Sequence, residues 1–327
     1  MKFGLGLFNR KRVNLIIQDH VIRFLEYKDP EELDVRNFGE RYLPEGLIQE
    51  GAIKDRETLL LILEECVSDW GIKGRDVQFL IPDGRVVIRK QQIPSDLMED
   101  EIKGYLYMEL GSSIHVPFED PVFEFAAVQG SGEAREILLF AASEQLVHDY
   151  SSLLEEVKLK PVVADISCLA LYRFVYVQNE TESDDHSLCV QFDLASVQIS
   201  IFHYHMPFFY NSLKLEHDMK QWDVKHHISE VQDITFQGES QQLLGAIDDS
   251  IKEVERILNY YKFNMNAGQQ GVTKVFLTGD HPKLAYVKQQ IEQQLNMPVV
   301  QLEDDVQRLP SKFHSALGLG LKEVELC

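Results

Sequence analysis

Residues 13–27, VNLIIQDHVIRFLEY, contain two apolar runs, Val13–Ile17 and Val21–Tyr27, separated by the polar residues Gln18–His20. Apolar runs joined by a short polar segment predict a β-hairpin. The hairpin lies close to the start of the chain, so it predicts the first two strands of a sheet.

A helix and a further strand follow this hairpin. Apolar residues recur every three or four positions from Leu59 to Trp70, and Asp55 stands where a helix N-cap is expected. The apolar run Val77–Ile81 then predicts a strand. This order predicts a sheet with an amphipathic helix packed on one face.

The second half of the chain repeats this layout. Three runs, Leu188–Asp193, Val197–Tyr204 and Phe208–Leu213, predict an antiparallel meander. A long helix is predicted from Leu244 to Tyr261, and a strand, a helix and a strand follow between residues 274 and 302. The repeated layout predicts an α/β protein with two similar halves.

A compact α+β unit is predicted between the two halves. Its predicted elements are the strand Val86–Arg89, a helix capped by Ser95 and running through Leu110, the strands Val122–Val128 and Glu136–Ala142, and a helix capped by Ser143. The strand Val162–Asp165 and the helix Cys168–Val177 come next, and the polar segment Asn179–His186 is interpreted as a linker. Residues 222–238 lack periodicity, so no element is predicted there.

Composition excludes several classes of function. Of 327 residues, 44% are hydrophobic and 26% are charged, as in soluble globular proteins, and the formal net charge is −21. So acidic a surface repels nucleic-acid backbones. No apolar run approaches the roughly 20 residues that span a bilayer, and the basic residues Arg10–Arg12 follow rather than precede the apolar start. A cytoplasmic protein without a nucleic-acid partner is expected.

Cysteines and histidines give no metal site. The cysteines are scattered at Cys66, Cys168, Cys189 and Cys327, and three of them lie in apolar runs, which predicts buried, reduced thiols. His203 and His205 lie two apart on a strand, and His226 and His227 are adjacent, but no nearby cysteine or carboxylate completes a tetrahedral set. No bound metal is therefore expected.

Enzyme motifs are equally scarce. Ser131 lies between glycines in Gly130–Gly132, but the G-x-S-x-G spacing of a nucleophile elbow is missing and strands flank both sides. No P-loop or dinucleotide-binding fingerprint is present. We therefore predict no catalytic residue.

Two segments resemble nucleotide-binding turns. Asp193–Ser196, with Ala195 inside it, joins two strands of the meander, where actin-like ATPases hold phosphate oxygens with backbone N–H groups. Leu277–Asp280 follows a strand and opens a helix, where that superfamily holds adenosine. A plain strand-and-turn interpretation suits either segment alone; their order and separation favour the nucleotide-binding one.

At this point the chain resembles the family of the type IV pilus assembly protein PilM, a relative of the cell-division actin homologue FtsA. The resemblance covers nearly the whole chain as short segments in the same order. These segments are Leu5–Arg12, Leu43–Ile48 with Gly51–Ile53, Ile81-Pro82, Val86–Arg89 with Ile93-Pro94, Ile114–Asp120, Lys160–Asp165, Leu169–Leu171 and Ala316–Leu319.

The resemblance implies an actin-like, ribonuclease H-like fold of two domains with an inserted small α+β subdomain, called 1C. Residues 1–83, 158–186 and 310–327 would form subdomain 1A, residues 84–157 subdomain 1C, and residues 187–309 subdomains 2A and 2B.

The three nucleotide-binding elements depart from the family pattern. In the first phosphate loop an acid and a glycine are replaced by Ile16 and Gln18, followed by Asp19 and His20. In the second loop Asp193 is kept, Ala195 replaces a glycine and Ser196 follows it. In the adenosine motif Gly279 is kept and Asp280 replaces the second glycine. A degenerate cleft is expected, with no cofactor or only weak binding of Mg-ATP.

The resemblance also implies a function. The protein would be a cytoplasmic platform, not an enzyme, that binds the cytoplasmic tail of a PilN-like membrane protein and so lies at the inner face of the membrane. A homo-oligomer is possible within this resemblance. Two alternatives remain open: a working actin-like ATPase switch, and an FtsA-like filament protein, whose basic membrane helix is missing from the acidic end Lys322–Cys327.

The tail would lie in a groove between subdomains 1A and 1C. The chain crosses this junction at Phe79, Ile81, Val86 and Ile88, and again near Pro161–Val163. An extended peptide adds its backbone to a strand edge and seats alternate side chains in pockets. Arg89, with Arg85 and Lys90, would form the polar rim of this groove.

Overall fold

The computed structural model describes residues 12–128, 135–178, 180–215, 219–225, 233–266, 268–300, 302 and 309–322. Several predictions lie outside these residues: those for the first 11 residues, Gly130–Gly132, Asn179, His226, His227 and Cys327.

The first part of the chain forms two hairpins, a helix and a strand. In chain order the elements are β1 (Val13–Ile17), β2 (Val21–Asp29), β3 (Asp34–Tyr42), β4 (Ile48–Gln49), β5 (Ala52–Ile53), α1 (Arg56–Asp69) and β6 (Asp76–Ile81). The predicted hairpin and helix are confirmed. The Asp55 side chain accepts a hydrogen bond from the backbone N–H of Thr58, as expected of an N-cap.

The middle of the chain has the predicted order of strand, helix, two strands and helix, and then returns to the first sheet; the last of these helices, however, packs on the first sheet and not on the insert. Its elements are β7 (Val86–Ile93), α2 (Ile102–Glu109), β8 (Pro121–Ala127), β9 (Arg135–Ser143), α3 (Glu144–Glu156), β10 (Lys160–Ile166) and α4 (Ser167–Val177). A short 3₁₀ turn, Asp83–Arg85, connects β6 to β7.

The remaining described elements belong to the second half. They are β11 (Ser187–Phe192), β12 (Ser196–His203), β13 (Met206–Lys214), β14 (Trp222–Lys225), β15 (Asp233–Phe236), α5 (Ser240–Tyr260), β16 (Lys274–Thr278), α6 (Leu284–Gln294), β17 (Val299–Val300) and α7 (His314–Gly320). One π-helical turn, Tyr261–Met265, continues α5.

Two five-stranded sheets have the same topology. The first has the order β10-β6-β1-β2-β3 and the second the order β17-β16-β11-β12-β13. In each, three strands form an antiparallel meander, and the first strand of the meander pairs in parallel with the next strand. The turns β1–β2 and β11–β12 therefore stand at equivalent places, at the carboxyl ends of the central strands.

Helices cover both faces of the first sheet. Apolar residues of α1 and α3 pack on one face, with Leu63, Leu153 and Phe79 all fully or almost fully buried. On the other face, α4 and α7 form a second core that also contains Phe202 and Phe276 of the second half. This shared core joins the halves beneath the ends of their central strands.

The second sheet and the inserted unit have cores of their own. α5 and α6 pack on the second sheet through residues such as Ile247 and Ile291. In the insert, the order β7-β9-β8 forms a three-stranded sheet that α2 covers through Ile102 and Leu106. Cys66, Cys168 and Cys189 are buried free thiols, as predicted.

Three local predictions were wrong or incomplete. Ser95 does not cap α2, because turns occupy the residues that follow Ser95 and the helix begins only at Ile102, with Glu101 at its N-cap. Residues 222–238 contain the strands β14 and β15, where Trp222 packs on Phe236 with ring centroids 4.9 Å apart. β3 was not predicted, since its polar residues, including buried Glu40, hide the apolar alternation.

Candidate functional site

A cleft lies at the carboxyl ends of the central strands of both sheets, the edge where open α/β sheets bind ligands. Its cavity measures about 1220 Å³, and both halves contribute to the lining. The turn β1–β2 contributes Gln18, Asp19 and His20, and the turn β11–β12 contributes Leu194 and Ala195. The structure thus brings the two predicted turns together.

Asp280 lies directly beneath the floor of this cleft. One carboxylate oxygen is 2.6 Å from His20 Nε2 and 2.6 Å from an Arg23 guanidinium nitrogen. The other accepts a hydrogen bond from the backbone N–H of Leu194 at 2.7 Å. The side chains of Arg23 and His20 are only 2% and 3% exposed, so these contacts form out of water.

Arg23 extends this network into the first half. Its Nε donates to Glu40 at 3.0 Å, and Lys312, from the turn before α7, reaches the other oxygen of Glu40 at 2.5 Å. Buried charges of this kind need partners of opposite sign, because isolated charges are costly to remove from water. Acidic and basic side chains therefore alternate along the network, in the order Asp280, Arg23, Glu40 and Lys312.

The pKa shifts follow from burial and these neighbours. Burial alone would raise the pKa of Asp280, but His20 and Arg23 outweigh it and hold that pKa well below its usual range. Burial and then the charge of Asp280 raise the pKa of Asp193. Burial lowers the pKa of Lys312, although Glu40 opposes this shift. The buried carboxylates therefore differ in their affinity for a proton.

The side chains of the first turn, β1–β2, form hydrogen bonds to other groups of the protein. Gln18 Nε2 donates to a carboxylate oxygen of Asp193 at 2.7 Å, which ties the first turn to the second. The carboxylate of Asp19 accepts the backbone N–H groups of Glu50 and Gly51 at 2.6 and 3.0 Å. Asp19 therefore caps the β4–β5 hairpin.

The second turn is also internally paired. The Asp193 backbone N–H donates to the Ser196 carbonyl at 2.9 Å, and the Ala195 carbonyl accepts from the Leu215 N–H at 3.0 Å. Asp193 itself is 1% exposed and accepts from Gln191 at 2.5 Å and from the backbone N–H of Asp280 at 3.1 Å. The backbone N–H groups of Asp193 and Leu194 therefore both donate to acceptors within the protein.

Gly279 has a packing role. Its φ is +127°, and a Cβ there would come within 2.1 Å of the Phe192 carbonyl oxygen. Only glycine tolerates both the conformation and the close approach of β11. The glycine therefore allows Asp280 to reach the turn β11–β12.

Several of the groups that would hold a magnesium nucleotide at this cleft already have partners within the protein. Such a ligand needs backbone N–H groups for phosphate oxygens and a carboxylate for the hydrated metal. Here the N–H of Leu194 already donates to Asp280, and the carboxylates of Asp19, Asp193 and Asp280 already have internal donors. No group of three potential metal ligands occurs among the residues that the structure describes.

The histidines of the second sheet lie at its far end from the cleft. His203 stacks on His186 with ring centroids 3.8 Å apart, and His205 contacts the Tyr172 hydroxyl at 3.0 Å. His186 contacts the Tyr261 hydroxyl at 2.6 Å. Aromatic packing accounts for these side chains.

The predicted partner residues fall into two groups. Phe79 and Ile81 are 2% and 8% exposed and lie on β6, a central strand paired on both sides. Ile88 is 9% exposed and belongs to the core that joins the halves. Val86 and Arg89 are half-buried on β7, and Arg89 contacts Gln91 at 3.3 Å.

Sequence reasoning missed Arg23 and Asp83. Arg23 interrupts the apolar run 21–27, and a charge there could have suggested a buried ion pair. Asp83 accepts hydrogen bonds from Ser167 and, at 2.9 Å, from the Tyr210 hydroxyl, contacts that no local pattern indicates. Asp83 thus joins the insert junction to both halves.

Comparison with known proteins supplies a family. Residues 16–211, more than half of the chain, match the model of the family described as type IV pilus assembly protein PilM. The chain is similar to the solved structure of a PilM–PilN type IV pilus biogenesis complex, with a TM-score of 0.75, 18% identity, and coverage of 95% of this chain and 98% of that chain. No curated protein matches the chain in sequence.

Two further solved structures show weaker likeness. The cytoplasmic domain of EpsL from Vibrio cholerae gives a TM-score of 0.48 at 11% identity, with 96% of each chain covered. MreB5 of Spiroplasma citri bound to ADP gives 0.47 at 9% identity, with 95% of each chain covered. The predicted actin-like α/β fold is confirmed. No described helix has the length and apolar character needed to span a membrane.

Proposed function

Because the chain belongs to the family of the type IV pilus assembly protein PilM, we propose that it is a platform of pilus assembly that binds the cytoplasmic tail of a PilN-like membrane protein. The observation that carries this proposal is the family match over residues 16–211. Tail binding would hold the protein at the inner face of the membrane.

The strand β10 supports a site for such a tail. In the described chain β10 pairs with β6 on one side only, and a bulge interrupts this pairing between Pro161 and Val163. Val162, at the bulge, is 47% exposed and so presents an apolar side chain to solvent at this edge. An extended peptide can add to such an edge and bury alternate side chains.

Cationic and apolar residues on β7 extend this site. Arg89 and Val86 lie on the first strand of the insert, close to where it leaves the first sheet. Arg89 would meet a carbonyl or carboxylate of the tail, and Val86 would widen the apolar wall. This revises the predicted site, which loses Phe79 and Ile81 to the core and gains Val162.

Tail binding can be measured by fluorescence anisotropy with a labelled peptide from the host's pilus membrane protein. We expect a Kd in the micromolar range, about −8 kcal/mol. Arg89→Glu and Val162→Glu should each weaken binding about tenfold or more. Leu61→Glu is the matched control, since Leu61 is 61% exposed on α1, away from β10.

Two results would contradict the proposed site. Equal weakening by Leu61→Glu would attribute the effect to added negative charge. Unchanged binding by both β10 and β7 variants, with circular dichroism confirming folded protein, would place the tail elsewhere.

We also propose that the cleft does not work as a nucleotide switch. The internal contacts of Asp19, Asp193 and Asp280 support this, because they use the groups that a magnesium nucleotide needs. Isothermal titration with Mg-ATP should give no binding tighter than about 1 mM. Micromolar binding with hydrolysis would favour an ATPase instead.

A further inference from the structure

The environment of the Asp280 carboxylate matches that of a bound anion. It receives one backbone N–H, from Leu194 at the turn β11–β12, and contacts an imidazole and a guanidinium from the first half. Backbone N–H groups at a turn, together with Arg and His, are the donors that proteins use for phosphate and carboxylate ligands. Here the anion is a side chain of the protein.

The donors come from both halves of the molecule. His20 lies in the turn β1–β2 and Arg23 just after it, whereas Leu194 belongs to the equivalent turn of the second sheet. An anion at this point therefore bridges the two halves. The neighbouring hydrogen bond from Gln18 to Asp193 adds a second bridge at 2.7 Å.

We propose that Asp280 is a built-in anion, which fills an anion site between the two halves and so holds the cleft floor together without any ligand. Removing its carboxylate would leave a latent site for a small oxyanion such as inorganic phosphate, bounded by Arg23, His20 and the Leu194 N–H. This extends the proposal about the cleft and is independent of tail binding.

Burial and local charge support this inference. The Asp280 side chain is fully buried, and Arg23 is 2% exposed, so a cavity left at Asp280 is shielded from bulk water. Glu40 balances part of the Arg23 charge, but it contacts Nε, whereas Asp280 contacts a terminal nitrogen. Loss of Asp280 therefore leaves a terminal guanidinium nitrogen of Arg23, and the His20 imidazole, without this acceptor.

The test uses Asp280→Ala in the full chain with inorganic phosphate as the probe. We expect the variant to melt about 5 °C or more below the wild type, because Arg23 and His20 lose a buried partner of opposite charge. Phosphate at ~50 mM, compared with chloride at equal ionic strength, should restore at least about half of this deficit by binding the folded state. The wild type should show no difference between the two salts.

The double variant Arg23→Met/Asp280→Ala is the matched control. It removes the same carboxylate and also the guanidinium that would bind phosphate. Its Tm should be the same in phosphate and chloride. Equal stabilisation of the double variant, or of the wild type, would show a general salt effect and overturn the proposal, as would a failure of phosphate to stabilise Asp280→Ala.

A distance measurement tests the bridging role even if Asp280→Ala folds poorly. Spin labels at Glu64→Cys on α1 and Glu255→Cys on α5, in a Cys327→Ser background, report the separation of the halves; both sites are exposed. Asp280→Asn, which keeps the shape of the side chain, should broaden the distance distribution. Phosphate is not needed for this readout.

Asp165→Asn is the control for this measurement. Asp165 is also a buried carboxylate, 3% exposed, but its partners Arg173 and Lys322 lie on α4 and just after α7, which pack on the same first sheet. It should lower stability without broadening the distances. If both variants leave the distribution narrow, the network is merely structural and Asp280 does not hold the halves together.

Discussion

The turns β1–β2 and β11–β12 occupy equivalent places in two sheets of the same topology, but they differ in charge. The first turn and the residues just after it supply donors: Gln18, His20 and Arg23. The second supplies the acceptor Asp193, and Asp280 lies beside it. Similar backbones thus carry complementary side chains, and Gln18, His20 and Arg23 of one half pair with Asp193 and Asp280 of the other.

The two aspartates of these turns show the same contrast. Asp19 caps backbone N–H groups of its own half, whereas Asp193 is buried and accepts Gln18 from the opposite half. A carboxylate at a turn is therefore not by itself a sign of ligand chemistry; the direction of its donors decides its role.

Replacing Arg23, the cation that pairs with both Asp280 and Glu40, should cause the largest loss of stability. Arg23→Met leaves Asp280 and Glu40 without their guanidinium donor, so we expect the free energy of unfolding to fall by about 3–5 kcal/mol. Urea denaturation measures the loss. Arg56→Met is the control, because the Arg56–Glu156 pair is exposed and should contribute less than about 1 kcal/mol. Similar losses for both variants would refute the dependence between turns.

Gly279→Ala tests the close approach that brings Asp280 to the second turn. Its Cβ would lie 2.1 Å from the Phe192 carbonyl oxygen at a positive φ, so we expect a loss of about 3 kcal/mol. Gly46→Ala is the matched control, since Gly46 also has a positive φ of +91° but nothing within 4 Å. The free energy of unfolding of Gly46→Ala should be lower than that of the wild type by about 1 kcal/mol. Thermal or urea unfolding distinguishes them, and equal losses would mean that strain alone matters.

Gln18→Ala tests the direct bond between the turns. It removes the donor that Asp193 receives from the first half, and hydrogen bonds to charged groups contribute about 1.5–3 kcal/mol, so we expect a loss of about 2 kcal/mol. Gln145→Ala is the control, because Gln145 donates to Asp149 on the exposed surface of α3. A loss for Gln18→Ala no larger than the control would show that the turns are not coupled there.

The sequence predicted the main strands and helices of both halves, but not the buried polar contacts between them. The apolar runs 13–17 and 188–192 and the long helix α5 were recognisable, because burial on a sheet or on one helix face leaves a periodic pattern. β3 was not, since buried Glu40 has a polar letter and its burial depends on Arg23 and Lys312. Contacts between residues more than 200 positions apart, such as Arg23 with Asp280, leave no local pattern.

Prediction of the candidate site was likewise partial. Gln18, Asp19, Asp193 and Asp280 were placed in one cleft from the family resemblance, and the structure puts all four at or beneath its floor. The partner residues Phe79 and Ile81 were chosen for apolar alternation, which cannot distinguish a central strand from an edge. That Val162 lies on an edge strand becomes evident only when the order of the strands within the sheet is known.

The smallest expected effect concerns Asp83, which faces both halves at the junction with the insert. Burial, opposed by hydrogen bonds from Ser167 and Tyr210, raises the pKa of Asp83 to about 6 from its usual 3.8. The folded state thus holds this proton more tightly than the unfolded state. Its contribution to stability is therefore greatest below pH 3.8 and is lost as the pH rises to about 6.

Asp83→Asn removes this titration while keeping an oxygen that can accept from Ser167 and Tyr210. The variant should gain stability relative to the wild type between pH 5 and pH 7.5, by about 1 kcal/mol after allowing for partial exposure of the side chain. Urea denaturation at both pH values measures the gain. Asp55→Asn is the control: hydrogen bonds from Thr58 lower the pKa of Asp55, so its effect should be constant over this range. A constant difference for Asp83→Asn as well would show that this carboxyl is ionised throughout, and that its junction is as open to water as the exposed Asp55 cap.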